Sequence, residues 1–328
     1  MKQKIRFGVL GCSTIAEKSM IPAIKKSDNA QLYMIGSRCN KKASTFSKKF
    51  SCKLHGDYDE VLENDQIDAV YISLPPSLHE KWIIKAAKAG KHIICEKPAV
   101  LSIQSAEKVI KECKKNHVRI IENFAFRFHP QQTKVLEIIK NNTVGKIFSF
   151  YGNYSFNLNV AQNNFRLNKN LGGGILNDVS GYLICASRLI FNENPVAVFC
   201  DLEYDNDIDV SGSIYMKYPD KTAIGYFSYK NYFQSFYNVC GKNGIIQVER
   251  AFNIRDNMKG VISIKKEDKL KKITVNPCNQ FQILIDIFCN KINNSDLKKL
   301  DFEKDLMDQA KIINAARKSI SEKKIIKV

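Results

Sequence analysis

The stretch Ile5-Arg6-Phe7-Gly8-Val9-Leu10-Gly11-Cys12-Ser13-Thr14-Ile15-Ala16 joins a short apolar run to a glycine and then to helix-compatible residues. That order is the pattern of a strand that bends sharply into a helix. Laid on the dinucleotide-binding pattern G-x-G-x-x-G/A, it supplies Gly11 and Ala16 but places Ser13 in the middle. Gly11 supplies the bend. Ser13 and Thr14 offer backbone and hydroxyl hydrogen bonds to a pyrophosphate at the helix N-terminus. Ala16 is small enough for the helix to lie close on the strand. Gly11, Cys12, Ser13, Thr14 and Ile15 therefore form a candidate phosphate-binding turn. An ordinary strand–helix turn uses the same residue types, so the surroundings must decide.

The surroundings repeat the unit. Apolar runs at 5–10, 31–37, 69–74, 92–95 and 119–121 alternate with helix-compatible segments at 15–26, 41–50, 58–63, 78–89 and 102–116. Alternation of this kind predicts a parallel sheet with helices on both faces. The runs are almost continuously apolar, as strands buried on both faces should be. Ligands of such sheets bind at the carboxyl ends of the strands, so the residues after each run come next. After the second run stand Ser37 and Arg38, with Lys41 and Lys42 nearby, and no acid occurs between Gln31 and Phe50. NAD-preferring sites place an acid there for the ribose 2′-hydroxyl, whereas Ser37, Arg38 and Lys42 suit a 2′-phosphate. NADP is therefore expected over NAD, against the plainer reading of a solvated basic turn. After the third run come Leu74, Pro75 and His79. His79 is read either as a nicotinamide contact or as a polar residue opening a helix. After the fourth come Glu96, Lys97 and Pro98. Two charges ending a buried strand are costly unless they serve a site, and Pro98 biases Lys97 to an extended conformation. A surface ion pair is the alternative.

Beyond Pro130 the texture changes. A helical segment at 131–141 and an alternating run at 146–156 precede Gly172-Gly173-Gly174 and a helix at 175–190. Runs at 196–202, 210–218, 222–229, 233–240, 244–249 and 260–265 come after it, parted by turn residues such as Pro219-Asp220 and Asn243-Gly244. Short strands in series predict a large antiparallel sheet, and helices at 281–291 and 302–319 close the chain. The fold class expected is α/β: a dinucleotide-binding domain over 1–121, and a substrate-binding and oligomerisation domain over 122–328 on a mainly antiparallel open sheet, with the last helix able to pack back on the first domain. In the second domain Asp178 and Tyr182 are four apart and share a helix face. Gly181 leaves room for a ligand, and the glycine run permits close backbone approach. A buried tyrosine with an Asp cap would look the same.

Composition removes other classes. The chain has 328 residues, and its 51 Lys and Arg against 33 Asp and Glu give a net charge of +18. The lysines are dispersed, with no basic block and no nucleic-acid motif, so nucleic acid is not expected as a partner. The charge suits an anionic substrate such as a nucleotide-linked sugar. No run of about 18 apolar residues exists, so no membrane span is expected. The N-terminus enters a strand-like run without a secretory signal. The ten cysteines are scattered without a C-x-x-C pair, which favours free thiols. His and Cys lack zinc-site spacing, so no metal is expected. Together these read as a cytoplasmic protein.

Taken together the motifs resemble the glucose–fructose oxidoreductase / inositol dehydrogenase / rhizopine catabolism (Gfo/Idh/MocA) family along nearly the whole chain. The resemblance is carried by Gly8–Ala16, Ser37-Arg38, Leu74-Pro75 with His79, Gly90-Lys91-His92-Ile93-Ile94-Cys95-Glu96-Lys97-Pro98, Glu122-Asn123-Phe124 with Arg127, Phe165-Arg166 and Gly172–Tyr182. Within it, Gly11-Cys12-Ser13-Thr14-Ile15-Ala16 with Glu122-Asn123-Phe124 looks most like nucleotide-sugar 3-ketoreductases. The family's glycine-rich motif maps with one residue more than usual between Asp178 and Gly181, and it ends on Tyr182 where inositol dehydrogenases carry His. The resemblance implies a Rossmann domain, an α/β domain that often builds dimers or tetramers, an NADP cofactor and reduction of a sugar ketone. It implies Tyr182 as proton donor, with Lys97 touching substrate and nicotinamide. A free phenol titrates near pH ~10, and a nearby ammonium would lower that value and stabilise an alkoxide. Arg166, Asp178 and Arg127 would bind substrate, Arg166 alternatively a diphosphate. Glu96 and Asn123 join the cofactor residues. Oxidation of a sugar with NAD, or a non-catalytic dinucleotide-binding regulator, are the alternatives.

Overall fold

In a computed structural model that describes residues 4–162, 164–293 and 301–328, the chain divides into two compact units. The first comprises residues 1–125 and 281–307, the second 126–280 and 308–328.

The first unit is built on β1 (Ile5–Leu10), β2 (Ala30–Gly36), β3 (Leu54–Gly56), β4 (Ala69–Ile72), β5 (His92–Cys95) and β6 (Ile120–Glu122). All pair in parallel, in the order β3-β2-β1-β4-β5-β6. This is the doubly wound order in which dinucleotides bind beside the first strand. Its interior residues Phe7, Val9, Val70, Tyr71, Ile93 and Ile94 are fully buried, each contributing about 1.5–3 kcal/mol on the usual transfer scale. The connecting helices are α1 (Ile21–Lys26), α2 (Asn40–Phe50), α3 (Tyr58–Glu63), α4 (His79–Lys88) and α5 (Ile103–Lys115). Local chemistry sets their starts. Asp57 and Glu60 form a reciprocal capping box on α3, and Ser102 caps α5 through the Ser105 amide.

The helix expected over 15–26 has two parts. A five-residue π turn, Ala16–Met20, precedes α1. Pro22 at the head of α1 has no amide to donate, which removes an α-type bond where the wider turn ends. Strand β3 escapes the apolar pattern because it is three residues long and two of them are exposed.

The second unit holds α6 (Pro130–Lys140), β7 (Ile147–Ser155), α7 (Gly181–Phe191), β8 (Ala197–Asp205), β9 (Ile208–Lys217), β10 (Thr222–Ser228), β11 (Gln234–Gly241), β12 (Gly244–Glu249), β13 (Gly260–Lys266) and β14 (Lys269–Val275). Next come α8 (Gln280–Asn293) and α9 (Phe302–Glu322), then β15 (Ile326–Lys327). The nine-stranded sheet runs β14-β13-β12-β11-β7-β10-β9-β8-β15. Among its described strands only the β7–β10 pair is parallel. Alternation decides the faces: Cys200, Ile214 and Tyr237 are buried, while Phe199, Ile224 and Tyr151 are exposed. With the half-buried Tyr215 the exposed residues form one row across four strands, since Phe199 pairs with Tyr215, Tyr215 with Ile224, and Ile224 with Tyr151.

Residues 281–307 belong with the first unit, and the division falls after Ala125 rather than Ile121. Side chains account for the return. Arg119 pairs with both oxygens of Glu303 at 2.8 and 2.7 Å, and Ser27 and Asn29 donate to Asp286 at 2.6 and 2.9 Å. No described helix is long and apolar enough to cross a membrane.

Candidate functional site

Five strands of the first unit deliver their carboxyl ends to one edge of the sheet. There β1 ends in Gly11–Ile15, β2 in Ser37 and Arg38, β4 in Leu74 and Pro75, β5 in Glu96 and Lys97, and β6 in Asn123. Gly11 has φ +108°, and a Cβ there would lie 2.9 Å from the Ser73 carbonyl oxygen. Only glycine makes that bend without strain. Ser13 Oγ accepts the Ala16 amide at 3.1 Å and its carbonyl accepts the Glu17 amide at 3.0 Å, so Ser13 opens the next turn. Among the described residues no protein group takes the amides of Cys12, Ser13 or Thr14. They form an N-terminal amide cluster suited to a pyrophosphate. The Cys12 side chain is buried, and burial pushes the thiol up to about 11, so only its backbone amide is offered here.

At the end of β2, Ser37 is buried and its Oγ accepts the Cys39 amide, whereas Arg38, Lys41 and Lys42 are exposed. The Arg38 cation acts on the Tyr58 phenol and opposes the burial that raises its pKa. No carboxylate stands in this turn, so the donor set fits a ribose bearing a 2′-phosphate better than one with a free 2′-hydroxyl.

Glu96 accepts from the Tyr71 hydroxyl and from Asn123 Nδ2, each at 2.6 Å. Burial raises its carboxyl above the ordinary range, against these two donors and the neighbouring Lys97. Asn123 Oδ1 is a buried acceptor without a partner. An orphan acceptor at a sheet edge of this kind fits a carboxamide N–H₂ such as that of nicotinamide. Lys97 is half-buried, and the Lys97–Pro98 peptide is cis.

His79 departs from expectation. It is 0% exposed, and its ring nitrogens face the Pro98 and Leu74 carbonyl oxygens at 2.9 and 2.7 Å. With no surface and both nitrogens engaged, it is not a cofactor contact. It ties the loop after β4 to the loop after β5.

The second unit assembles a separate cluster. Asp178 lies in a π turn, Leu176–Ser180, that precedes α7, and Tyr182 is the second residue of α7. Ser180 Oγ donates to the Leu176 carbonyl, competing for a helix acceptor where the turn widens. Arg166 Nε and the Tyr229 hydroxyl both donate to Asp178 Oδ2, at 2.7 and 3.0 Å. Burial disfavours the Arg166 charge, but the Asp178 carboxylate outweighs it and raises the guanidinium pKa further. Burial and the same carboxylate push the Tyr229 phenol well above its ordinary value, so it stays a donor. The half-buried Tyr182 ring packs against Tyr154, Phe126 and Phe252, with centroids at 5.0, 5.7 and 5.8 Å. Arg127 places its guanidinium 5.4 Å over the Phe128 ring.

The glycine run does not leave space for a ligand. Gly173 is packed against the Phe165 and Arg166 carbonyl oxygens, and Gly174, at φ +100°, against the Asp209 carboxylate. The close approach expected of the run is made by the protein's own groups. Tyr229, just past β10, and Asp209, in β9, belong to no sequence motif, because each reaches the helix from a distant part of the chain. Among the described residues no group of three or more His, Cys, Asp or Glu side chains is placed to hold a metal.

Known proteins share both units. Residues 5–124 match the model of the GFO_IDH_MocA oxidoreductase family with an NAD-binding Rossmann fold, and residues 133–247 match the GFO/IDH/MocA C-terminal domain. The chain is 30% identical to a dTDP-3,4-didehydro-2,6-dideoxy-α-D-glucose 3-reductase of Saccharopolyspora spinosa, over 83% of this chain and 86% of that one. It is 29% identical to a D-xylose 1-dehydrogenase (NADP⁺) of Haloferax volcanii, over 90% and 92%. The crystal structure of KijD10, a 3-ketoreductase from Actinomadura kijaniata in complex with NADP and TDP-benzene, superposes with a TM-score of 0.91 at 27% identity, covering 97% of this chain and 98% of that chain.

Proposed function

This chain belongs to the Gfo/Idh/MocA oxidoreductase family, and from that premise we propose that it is an NADP-dependent reductase of a ketone on a sugar carried by a nucleotide. The observation that carries the reading is the acid-free, basic turn at the end of β2, beside an amide cluster at the end of β1 and a lysine at the end of β5. The ligands of the KijD10 complex support it.

In this reading Cys12, Ser13, Thr14 and Ile15 bind the pyrophosphate through backbone amides. Ser37, Arg38 and Lys42 take the 2′-phosphate. Leu74 and Pro75 line the approach to the nicotinamide, and Asn123 Oδ1 accepts from its carboxamide. The cofactor's chemistry, when bound, is delivery of a hydride to the carbonyl carbon. The Tyr182 hydroxyl gives its proton to the carbonyl oxygen. The Lys97 ammonium stabilises the charge developing there. Asp178, held by Arg166 and Tyr229, orients sugar hydroxyls, and Arg127 adds a cation for the nucleotide. The exposed row Phe199–Tyr215–Ile224–Tyr151 is covered by a second copy, giving a homodimer or homotetramer.

The test is NADPH consumption with dTDP-linked 3-keto sugars. Lys97→Ala and Tyr182→Phe should each lower kcat at least ~100-fold. Full activity in both variants would overturn the assignment. The kinship with a D-xylose dehydrogenase favours a second reading, oxidation of a free sugar with NADP⁺. Turnover of D-xylose but of no keto-sugar would select it.

A further inference from the structure

Asp209 lies in β9, 33 residues beyond Leu176, yet its carboxylate reaches the start of the helical segment that carries Asp178 and Tyr182. Oδ2 accepts the Leu176 amide at 2.7 Å. Oδ1 occupies the place that a Cβ on Gly174 would take. Gly174, with φ +100°, is therefore fitted to this carboxylate in both conformation and space. The arrangement is a helix N-cap supplied from another strand. A negative charge at a helix N-terminus satisfies free amides and complements the helix dipole.

The capped turn leads directly into the candidate site. The Asp178 amide donates to the Gly174 carbonyl oxygen at 3.1 Å, and the Tyr229 hydroxyl reaches the same oxygen at 3.4 Å and Asp178 Oδ2 at 3.0 Å. Arg317 of α9 donates to Asn177 Oδ1 at 2.5 Å and faces Asp209 electrostatically. The turn 174–177 is thus held from β9 and α9 at once. Any shift of it displaces Asp178 directly and Tyr182 one turn later.

We propose that Asp209 is a positioning residue for the proton donor Tyr182: it sets the start of the helix so that the phenol and Asp178 face the substrate together. The proposal rests on the reading of Tyr182 as that donor.

The test compares Asp209→Asn and Asp209→Ala in the wild-type and Tyr182→Phe backgrounds, with a dTDP-linked 3-keto sugar and NADPH. Asp209→Asn keeps one acceptor and the size of the side chain, so it guards against loss of fold in Asp209→Ala. We expect kcat to fall ~10–100-fold, the cost of small misplacements of catalytic groups. The Kd for NADPH, read by quenching of Trp82 fluorescence, should stay unchanged. In the Tyr182→Phe background the same change should cause little further loss, because groups acting through one another are non-additive. Equal fold-losses in both backgrounds, or an unaltered kcat in Asp209→Asn while Tyr182→Phe is impaired, would overturn the proposal. Full activity of Tyr182→Phe would instead overturn the catalytic reading itself. A crystal structure of Asp209→Asn gives a readout independent of turnover: residues 174–182 should move, and an unmoved segment overturns the proposal.

Discussion

In the proposed function a single exposed arginine distinguishes the two nicotinamide cofactors. Arg38 stands in a turn without a carboxylate, beside exposed Lys41 and Lys42. A charge-assisted contact to a phosphate contributes about 1.5–3 kcal/mol. Arg38→Glu should weaken NADPH binding at least ~10-fold while leaving NADH within a few-fold, measured by fluorescence titration. An unchanged ratio would remove the 2′-phosphate from this turn. Gly174 makes a second residue-level prediction. An alanine there is strained by about 1–3 kcal/mol and meets the Asp209 carboxylate, so Gly174→Ala should lower Tm by several degrees. Both glycine turns could be found in the sequence because glycine at a strand–helix junction has a conformational reason. What fills them could not. Gly11 leaves amides free, whereas Gly174 is occupied by Asp209, and nothing local to the two motifs distinguishes them. His79 illustrates the reverse. A histidine at a strand end is as consistent with a ligand contact as with a buried brace, and only its two carbonyl partners decide.

Elements defined by apolar period were legible, and those defined by exceptions were not. Five of the six strands of the first sheet and most of the second arise from runs of apolar or alternating residues. Strand β14 does not, because Lys269, Lys271 and Lys272 fill it; it is an edge strand, where lysines discourage pairing with another chain. The two π turns depend on Pro22 and on the Ser180 hydroxyl, single residues whose effect emerges only within a formed helix. The exposed face of the second sheet yields a prediction at this scale. A contiguous apolar row is unusual on a free surface. Ile224, at its middle, pairs with both Tyr151 and Tyr215. With a second copy on this face, as proposed, Ile224→Lys should give a monomer in light scattering with its fold retained by circular dichroism. A wild-type protein that is already monomeric would remove the second copy from this face.

For the molecule as a whole, acid should be destabilising well before the carboxylates protonate. His79, His92 and His129 all have their pKa lowered by burial. As pH falls through the unfolded value of about 6.5, the unfolded chain binds protons that the folded chain resists. The stability associated with these neutral rings is complete above that pH and erodes below it. Tm should drop by several degrees between pH 7.5 and pH 6, and His129→Gln should reduce the drop. A flat profile would mean the imidazoles protonate without cost. Glu96 and Asp209, whose pKa values are raised chiefly by burial, act in the opposite sense: the cost of their burial is relieved as pH falls.

The pairing of Arg119 with Glu303 has a consequence for how the protein is made. The first unit draws on two separate stretches of the chain, parted by the 155 residues 126–280. A ribosome must release Glu303 and Asp286 before Arg119, Ser27 and Asn29 meet their partners. Closing so long a loop is entropically slow, although lengthening it further would add little. The first unit, whose sheet is encoded first, is therefore completed only after the chain of residues 126–280 has been made. A fragment ending at residue 125 should be released as an unfinished domain that needs the segment 281–307, supplied in trans, to become a stable one.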